Sequence, residues 1–473
     1  MSDCTIRVRD NLWAEVEGTR GAVKVVREAL SYRPKGYIFT SAYKNGHWDG
    51  YTRLLRRDRS FPAGLVEHVC TALRAVGMEL EVEDKRQWPV RGEALFPVDA
   101  RVSLDTQQRA AVFAAIHAKE GRGVIYHPVG SGKTVIMLEL IRGMQEPTII
   151  LVHRKDLLYQ TAERARTMFG INVGLVGDGR WEEGRPLTVA TFQTIRSRLK
   201  GYDAEETRDW LRQFTAIHVD ECHHVEAATY EAVMQELPNA YYRFGYSATP
   251  FRSGDKGTYL RVVGWTGPVI HHLASKEGVS GGRLVPAHVF IIPTPGKRPM
   301  DLDYATAYET GITRHDARLS LTVKIALATR KLGATLILVE RLEHGEALAQ
   351  ALGVKFLSGS TPGYERNLAW ETMRQGGADC LIASVIADEG LDIPNIEYLI
   401  LGGGGKAPHR QIQRIGRGMR SVEGKANLTV FDFEDRGLYL GKHSRSRRKA
   451  YDREAAYVVA EVGAEEIEEW LTN

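Results

Sequence analysis

Short apolar runs alternate with amphipathic helical segments along most of this chain, and this alternation is the feature that most constrains its fold. A continuous apolar run bounded by turn residues is typical of a strand buried on both faces of a sheet. When helices separate such strands, the usual result is a doubly wound parallel sheet. The runs form two series: Val124–Tyr126, Ile149–Val152, Leu187–Ala190, Ile217–Val219 and Tyr242–Tyr246, then Leu336–Val339, Leu381–Ala383, Tyr398–Leu401 and Thr429–Phe431. The sequence therefore predicts two α/β domains in tandem.

A smaller α/β block precedes the two series. Alternating residues predict strands at Thr5–Val8 and Trp13–Val16, and helical spacing predicts a helix over Gly21–Tyr32. Two turn dipeptides, Asn-Gly and Asp-Gly, favour a strand, a turn and a strand over Gly36–Leu55. We expect the stretch 252–310, which contains many Gly and Pro residues, to join the two larger domains. The predicted domains are residues 1–98, 99–285 and 286–473, the last with a basic C-terminal tail.

Composition leaves the class of partner open. The 473 residues carry a formal net charge of +4, which is compatible with a polyanionic partner but does not require one. The four cysteines lie far apart without Cys-x-x-Cys spacing, so we expect reduced thiols rather than a disulfide framework or a zinc ribbon. We find no signal segment and no apolar run that could span a bilayer, and we expect a cytoplasmic protein.

A glycine-rich stretch, His127-Pro-Val-Gly-Ser-Gly-Lys-Thr134, lies between an apolar run and a predicted helix. This context is typical of a P-loop, in which backbone N–H groups and the helix N-terminus surround a phosphate. His127 stands where the usual pattern has its first glycine, and a plain glycine-rich turn is the alternative interpretation. The predicted nucleotide-binding residues of this loop are Gly130, Ser131, Gly132, Lys133 and Thr134.

Two carboxylates further along the chain predict that this site also hydrolyses the nucleotide it binds. Lys133 would neutralise the β- and γ-phosphates, and the Thr134 hydroxyl would bind Mg²⁺. An Asp at the end of a buried strand can reach Mg²⁺ through water, and the next Glu can deprotonate the attacking water. We therefore assign Asp220 to the metal and Glu221 as the general base, with a surface acidic turn as the alternative. His223 follows without further ligands at zinc spacing, so we expect it to be a hydrogen-bonding coupling residue.

These elements, with seven further motifs in order, resemble the DExH branch of the superfamily 2 helicases. The resemblance covers most of the chain from about residue 104. The motifs are the glutamine element Leu104–Val112, motif Ia Leu151–Gln160, motif Ib Val189–Thr194, motif III Tyr246–Pro250, the strand-binding element Leu357–Thr361 followed by Arg366, motif V Ile382–Pro394 and motif VI Gln411–Arg420. Each is moderately specific alone, and their common order makes coincidence negligible.

The resemblance implies an ATPase that uses residues of both α/β domains. Gln108 would recognise adenine. Arg417 and Arg420 would reach the γ-phosphate, where arginine fingers contribute on the order of 10³ to 10⁵ in rate. Gln413 would position the water or the phosphate. A solvated basic helix face is the alternative interpretation of the arginine pair.

The resemblance also implies a motor that moves along a nucleic-acid strand. Ser247 and Thr249 would link hydrolysis to that movement. Backbone amides and small hydroxyls would contact the strand backbone rather than the bases, so sequence preference should be weak. The predicted strand-contact residues are Arg154, Thr191, Gly359, Thr361 and Ser384.

The N-terminal block indicates the branch of the superfamily. Gly36–Leu55 and Phe61–Val66 resemble the N-terminal domain of phage UvsW-type helicases. That resemblance implies unwinding or branch migration of forks, Holliday junctions, D-loops and R-loops in recombination, replication and repair. Basic and aromatic residues interleave in this block, which suits phosphate contact and base stacking. The predicted DNA contacts are Arg53, Arg56 and Arg57, whereas Trp48 could instead belong to the core of the block.

Three other functions stay open at this point. A double-strand translocase of the XPB or restriction-subunit type would remodel protein on DNA without separating the strands. An RNA helicase would use the same motor on RNA. A scaffold with a decayed ATPase would bind nucleic acid without catalysis, but the retained Lys133, Glu221, Arg417 and Arg420 argue against it.

Overall fold

The computed structural model describes residues 2–90, 92–97, 103–184, 186–223, 227–248, 251, 255–384, 395–463 and 465–467. Most of motif V, residues 385–394, lies outside the described residues, as does Thr249. The chain divides into two compact units. The first comprises Met1–His127 with Gly132–His272, and the second comprises Pro128–Ser131 with Leu273–Asn473.

The first unit contains the N-terminal block and the first α/β series. Its elements are β1 (Cys4–Val8), β2 (Trp13–Gly18), α1 (Arg20–Ala29), β3 (Ser31–Tyr32), α2 (Ser41–Lys44), β4 (Thr52–Arg53), β5 (Ser60–Pro62), α3 (Val66–Ala75), β6 (Leu80–Asp84), α4 (Thr106–Ile116), β7 (Arg122–Tyr126), α5 (Lys133–Met144), β8 (Thr148–Val152), α6 (Lys155–Phe169), β9 (Gly174–Gly177), β10 (Arg180–Trp181), β11 (Leu187–Thr191), α7 (Phe192–Arg198), α8 (Ala204–Leu211), β12 (Ala216–Asp220), α9 (Ala227–Met234), β13 (Tyr242–Ser247), α10 (Lys256–Thr266) and β14 (Val269–His272).

The second unit contains the other α/β series. Its elements are α11 (Ser275–Ser280), β15 (Ala287–Pro293), α12 (Tyr304–Tyr308), α13 (Asp316–Leu332), β16 (Thr335–Leu338), α14 (Leu342–Leu352), β17 (Phe356–Leu357), α15 (Gly363–Arg374), β18 (Cys380–Ala383), β19 (Tyr398–Ile400), α16 (Pro408–Gly418), β20 (Leu428–Glu434), α17 (Leu438–Tyr451) and β21 (Tyr457–Glu461).

Each unit is built on one doubly wound sheet, which confirms the predicted fold class. Among the described residues, the sheet of the first unit has the strand order β10-β9-β11-β8-β12-β13-β7-β14, and that of the second has the order β17-β18-β16-β19-β20-β15-β21. All neighbouring strands are parallel except β10 and β9. The central strands are buried along their whole length, as the continuous apolar runs require.

The stretch that was expected only to join the two domains is more than a connection. It contributes β14 to the edge of the first sheet and β15 to the second sheet. β14 is an edge strand and therefore buries little apolar surface, so its sequence lacks a continuous apolar run. β15 does contain a continuous apolar run, Val289–Ile292, within a stretch rich in Gly and Pro. Neither strand was predicted from the sequence.

The predicted strand, turn and strand at Gly36–Leu55 is also wrong. Only the two-residue strands β3 and β4 pair, and a 3₁₀ turn at Tyr37–Phe39 and the helix α2 lie between them. The Thr40 hydroxyl accepts a hydrogen bond from the backbone N–H of Tyr43 and so caps α2. Asn45 ends that helix, and Gly46 follows in a left-handed conformation with φ 70°. The Asn-Gly dipeptide therefore terminates a helix rather than forming a hairpin turn.

The N-terminal block shares a hydrophobic core with α10. Its small sheet, in the order β5-β2-β1-β6, packs beside α1 and α3. Leu260 and Val263 of α10 belong to the same buried cluster as the strands and helices of the block. Trp13 meets Trp265 edge to face, with ring centroids 5.6 Å apart. The block is thus fused to the first α/β domain rather than tethered to it.

The basic segment near the C-terminus is folded into the second unit. Arg447 of α17 is buried, and its Nε lies 2.8 Å from Asp432 Oδ2 in β20. The Tyr451 hydroxyl donates to the same carboxylate at 2.9 Å. This arginine therefore stabilises the packing of α17, which makes it unsuited to contact a partner.

Two further findings concern the whole described chain. The four cysteines are buried free thiols. Within the described ranges, every helix is too short or too polar to cross a membrane.

Gly64 offers a test of the shared core. A Cβ at this position would collide with the backbone carbonyl oxygen of Val263 in α10. We expect Gly64→Ala to lower the free energy of unfolding by about 1–3 kcal/mol, as overpacking typically does. Urea unfolding followed by circular dichroism measures this change.

The matched control is Gly92→Ala, since no described atom lies within 4 Å of a Cβ built at Gly92. Equal stability of the two variants would contradict the close packing of the N-terminal block on α10.

Candidate functional site

The loop between β7 and α5 has the backbone of a phosphate-binding loop. Gly130 and Gly132 adopt left-handed conformations, with φ 85° and 84°, and Gly132 directly precedes the first residue of α5. Ser131 is buried, and its hydroxyl donates to the carbonyl of Pro128 at 2.8 Å. A side chain at either glycine would strain the turn. The loop and the N-terminus of α5 can therefore hold a phosphate through backbone N–H groups.

Lys133 and the two predicted carboxylates lie close together. Lys133 Nζ is 3.9 Å from Glu221 Oε1 and donates to the carbonyl of His127 at 3.3 Å. Asp220 is the last residue of β12, and Glu221 follows in a left-handed conformation with φ 47°. This conformation costs a non-glycine residue roughly 1–2 kcal/mol. Such strain is typical of functional sites, where it fixes the direction of a side chain.

The electrostatics of this cluster suit a cation. Burial, and then the negative charge of Glu221, raise the pKa of Asp220 above its ordinary value. A divalent cation would offset both effects, and Asp220 is an oxygen donor of the kind that Mg²⁺ prefers. The Thr134 hydroxyl, at the start of α5, accepts from Arg164 Nη1 at 3.3 Å. These side chains would fit a nucleoside triphosphate with its Mg²⁺.

Two of the three predicted coupling residues, His223 and Ser247, meet the predicted general base. Ser247 Oγ lies 2.6 Å from His223 Nδ1 and 3.4 Å from Glu221 Oε2. His223 Nδ1 is 3.6 Å from the same carboxylate oxygen. The register explains the meeting, because Asp220 of β12 pairs with Tyr246 of β13. Motif III and the acidic motif therefore form one hydrogen-bonded group.

A histidine pair beside the loop was missed by the sequence reasoning. His127 is fully buried, and its Nε2 lies 2.7 Å from Nδ1 of His271 in β14. Burial, and then the neighbouring His271, lower the pKa of His127 to about 3, so its ring is neutral at pH 7. The backbone N–H of His127 also donates to the backbone carbonyl of Ser247 at 3.1 Å. The only signal in the sequence was His127 in place of a glycine.

Gln108 holds the start of α4. Its backbone N–H donates to Asp105 Oδ1 at 2.6 Å, and its side-chain Oε1 accepts from the N–H of Asp105 at 3.3 Å. This pair is a capping box, and Gln108 is buried in it, whereas Gln107 is partly exposed. The capping role fixes the Gln108 side chain. Its role in adenine recognition stays a prediction.

The predicted motif VI residues follow one face of α16 in the second unit. Gln413 and Arg417 are four residues apart and therefore share a face, and Arg420 continues the spacing just beyond the helix end. Gln413 is buried, and both arginines are partly buried. Gln411 supports the helix, because its Nε2 donates to the carbonyl of Gly404 at 2.5 Å.

The predicted nucleic-acid contacts of the first unit lie where two neighbouring parallel strands of the sheet end. Arg154 is exposed and directly precedes α6, just after β8. Thr191 ends the neighbouring strand β11 and pairs in register with Val152. The Thr191 hydroxyl donates to Thr194 Oγ1 at 2.8 Å. The parallel arrangement thus brings these two motifs to adjacent strand ends.

The predicted nucleic-acid contacts of the second unit also follow the ends of two neighbouring parallel strands. Gly359 and Thr361 follow β17, and Ser384 follows its parallel neighbour β18. The Thr361 hydroxyl accepts from the N–H of Ser358 at 2.9 Å, which shapes the turn. Ser384 is buried, and its backbone N–H donates to the carbonyl of Leu357 at 2.9 Å.

Two of the three predicted arginine contacts in the N-terminal block have partners within the chain. Arg53 Nη1 donates to Asp49 Oδ1 at 3.1 Å. The Arg56 guanidinium lies 3.4 Å from the ring centroid of Trp13. Arg57 is exposed. Arg56 therefore packs on the aromatic residue that also meets α10.

The histidine pair yields a prediction. In His271→Ala, the buried Nε2 of His127 loses its partner, which typically costs about 1–3 kcal/mol. We expect a lower melting temperature and a severalfold higher KM for ATP. Thermal melting and steady-state ATPase assays measure the two effects.

His272→Ala is the control for this variant, because the His272 side chain is exposed at the end of the same strand and meets the ring of Tyr126, with centroids 4.4 Å apart. A KM that rises equally in both variants would show that the His127–His271 bond does not position the loop.

Three family models match successive parts of the chain. The family model for the N-terminal region of the DNA helicase UvsW matches residues 3–83. The model for the res subunit of type III restriction enzymes matches residues 101–252, and that for the helicase conserved C-terminal domain matches residues 318–422.

Two curated relatives align over most of their length. The ATP-dependent DNA helicase uvsW of Enterobacteria phage T4 is 22% identical over 94% of this chain and 93% of that protein. The DNA 3'-5' translocase XPB2 of Sulfurisphaera tokodaii is 23% identical over 88% of this chain and 98% of that protein.

A solved structure supports the fold. Dbp5 of S. cerevisiae, bound to RNA and ADP BeF3, superposes with a TM-score of 0.55 at 17% identity, over 78% of this chain and 92% of that chain. The three family models, in sequence order, and the phage T4 relative show that the chain belongs to the superfamily 2 helicases and is UvsW-like.

Proposed function

We propose that this protein is an ATP-dependent DNA helicase that unwinds or branch-migrates branched DNA, such as forks, Holliday junctions, D-loops and R-loops. The observation that carries the proposal is the UvsW N-terminal match at residues 3–83 in front of the two helicase matches. The phage T4 relative aligns with this chain over nearly its full length. Recombination, replication and repair are the processes that create such substrates.

ATP hydrolysis is the step that drives the proposed motor. Glu221 is the proposed general base, and its left-handed backbone and its contact with Ser247 fix the carboxylate direction. Lys133 neutralises phosphate charge, and Thr134 and Asp220 are the proposed Mg²⁺ residues. When bound, Mg²⁺ neutralises phosphate charge that would otherwise oppose attack by water.

Motif VI is the second part of the proposed ATPase. Arg417 and Arg420 are proposed to stabilise charge on the transferred phosphoryl group, with Gln413 positioning the water or the phosphate. The burial of Gln413 and the shared helix face of Gln413 and Arg417 support this assignment.

Coupling to DNA is proposed to start at the Glu221–His223–Ser247 group. Ser247 belongs to motif III and ends β13, so a change at Glu221 reaches the segment that follows β13. The proposed strand contacts are Arg154 and Thr191 in the first unit and Gly359, Thr361 and Ser384 in the second. These groups offer hydroxyls, backbone amides and one guanidinium, which suit a phosphate backbone of any sequence.

A double-strand translocase that does not separate strands is the second candidate. The XPB2 relative favours it, because that protein is named a translocase and this chain covers 98% of it. The two candidates share the ATPase and differ in the DNA that stimulates it.

Substitutions at Lys133 and Glu221 test the ATPase. We expect Lys133→Ala to lower kcat for ATP at least 100-fold, because the phosphate charge loses its cation, while DNA binding is largely kept. We expect Glu221→Gln to bind ATP tightly and turn over slowly, since the base is lost but the size of the side chain is kept. Steady-state ATPase and nucleotide-binding assays measure these effects.

Lys119→Ala serves as a surface control in the same domain, because Lys119 is exposed and lies outside the loop. Wild-type turnover in Lys133→Ala would refute the nucleotide site.

A panel of polynucleotides tests the substrate. We expect forked DNA and four-way junctions to raise the ATPase rate several-fold more than plain duplex, single-stranded DNA or RNA at the same salt concentration. Fixed salt matters, because phosphate contacts weaken steeply as salt rises. Stimulation by plain duplex alone would favour the translocase, and stimulation by RNA alone would overturn the choice of DNA.

A further inference from the structure

A compact excursion projects from the N-terminal block between β3 and β4. The two strands close its base, where Ser31 pairs with Arg53 and Tyr32 with Thr52. Lys35 Nζ is 4.0 Å from Asp255, and Tyr32 lies against Gly257 at the start of α10. The excursion is therefore anchored on the first α/β domain at its base.

The interior of the excursion is ordered by its own aromatic side chains. Tyr37 and Tyr43 meet edge to face with centroids 4.9 Å apart, and the Tyr37 hydroxyl accepts from Arg33 Nη1 at 3.1 Å. Trp48 Nε1 donates to the carbonyl of Tyr51 at 2.8 Å. Gly50 has φ 81°, and a Cβ there would collide with Tyr37. These rings therefore hold the loop in shape.

Two apolar side chains of the excursion point away from this interior. Phe39 is 74% exposed and Ile38 is 46% exposed. Their backbone is nonetheless fixed, because the N–H of Phe39 donates to Gly36 at 2.9 Å and the N–H of Thr40 donates to Tyr37 at 3.1 Å. An aromatic ring is thus presented to solvent on an ordered turn that also begins α2.

The excursion that carries this ring has a positive net charge. The excursion and its base carry four basic side chains and one acidic side chain, and that acid, Asp49, is paired with Arg53. Arg33, Lys35 and Lys44 are exposed. The flanking segment adds Arg56, Arg57 and Arg59 and one acid, Asp58, all of them exposed. Polyanions are attracted to such a surface.

We propose that Phe39, supported by Ile38, stacks on an unpaired base at the branch point of DNA, while Arg33, Lys35 and Lys44 bind the flanking phosphates. A flat ring suits the face of any base, and stacking of this kind is independent of sequence. Apolar side chains inserted at base steps also hold strands apart. The proposal rests on the proposed function and names the residue that meets the junction.

Nucleic acid fits this surface better than a protein partner. Stable protein interfaces bury about 800 Å² on each side, with an apolar centre. Here the exposed large apolar side chains of the described excursion are Ile38, Phe39 and Tyr51, and basic residues flank them in the sequence. The exposed ring of Phe39, with basic residues on either side in the sequence, suits a single unpaired base with its flanking phosphates.

The test compares Phe39→Ala with Phe39→Trp in the full-length protein. Each variant is assayed for four-way junction unwinding, for junction binding, and for ATPase stimulation by plain duplex. We expect Phe39→Ala to weaken junction binding about fivefold or more, the lower end of one base–aromatic stack, and to slow unwinding. Duplex-stimulated ATPase should keep its wild-type rate. Phe39→Trp should retain junction binding and unwinding.

Tyr202→Ala is the matched control, because Tyr202 is an exposed aromatic residue followed by Asp203, Glu205 and Glu206. We expect it to behave as wild type. Since Phe39 is exposed, thermal melting should be unchanged in both alanine variants.

The outcomes separate this inference from the proposed function. Unwinding by the wild type together with an unchanged Phe39→Ala variant would overturn the stacking role alone. Equal losses of Phe39→Ala on junction and plain duplex would also overturn it, because they would indicate a general defect. A wild-type protein that unwinds no branched DNA would instead refute the proposed function.

Discussion

The structure depends on the parallel register of β12 and β13 at the centre of the first sheet. Both strands are buried almost along their whole length, and Asp220 and Ser247 are their last residues. Because Asp220 is paired with Tyr246, the residues just beyond these strands meet at one edge. Glu221, His223 and Ser247 therefore form a single group, and the N–H of His127 joins it through the carbonyl of Ser247.

This arrangement places several features that are unfavourable for folding close together in one site. Glu221 has a left-handed backbone, Asp220 is a buried acid beside a second carboxylate, and His127 is a buried imidazole with a lowered pKa. None of these features stabilises the fold by itself. Each makes sense if phosphate and cation charge complete the site, and the rest of the sheet supplies the apolar burial that tolerates the cost.

The N-terminal block extends the same domain. Leu260, Val263 and Trp265 of α10 pack against it, and α10 begins shortly after motif III. An excursion with an exposed aromatic ring is thus carried on the domain that contains the proposed general base. Movement of that domain would move the ring with it, which suits a motor whose proposed substrate has a branch.

The sequence alone determined the fold class, the phosphate loop, the acidic pair and the order of the motifs. These are local properties, since buried parallel strands require apolar runs and a phosphate loop requires glycines at fixed spacing. Tertiary structure decided the remainder. The His127–His271 bond exists because β14 lies beside β7, although 144 residues separate the two histidines. Likewise, Arg447 is basic in sequence but lies buried on Asp432, and Phe39 is apolar but exposed, because burial depends on contacts between distant segments rather than on the residue type.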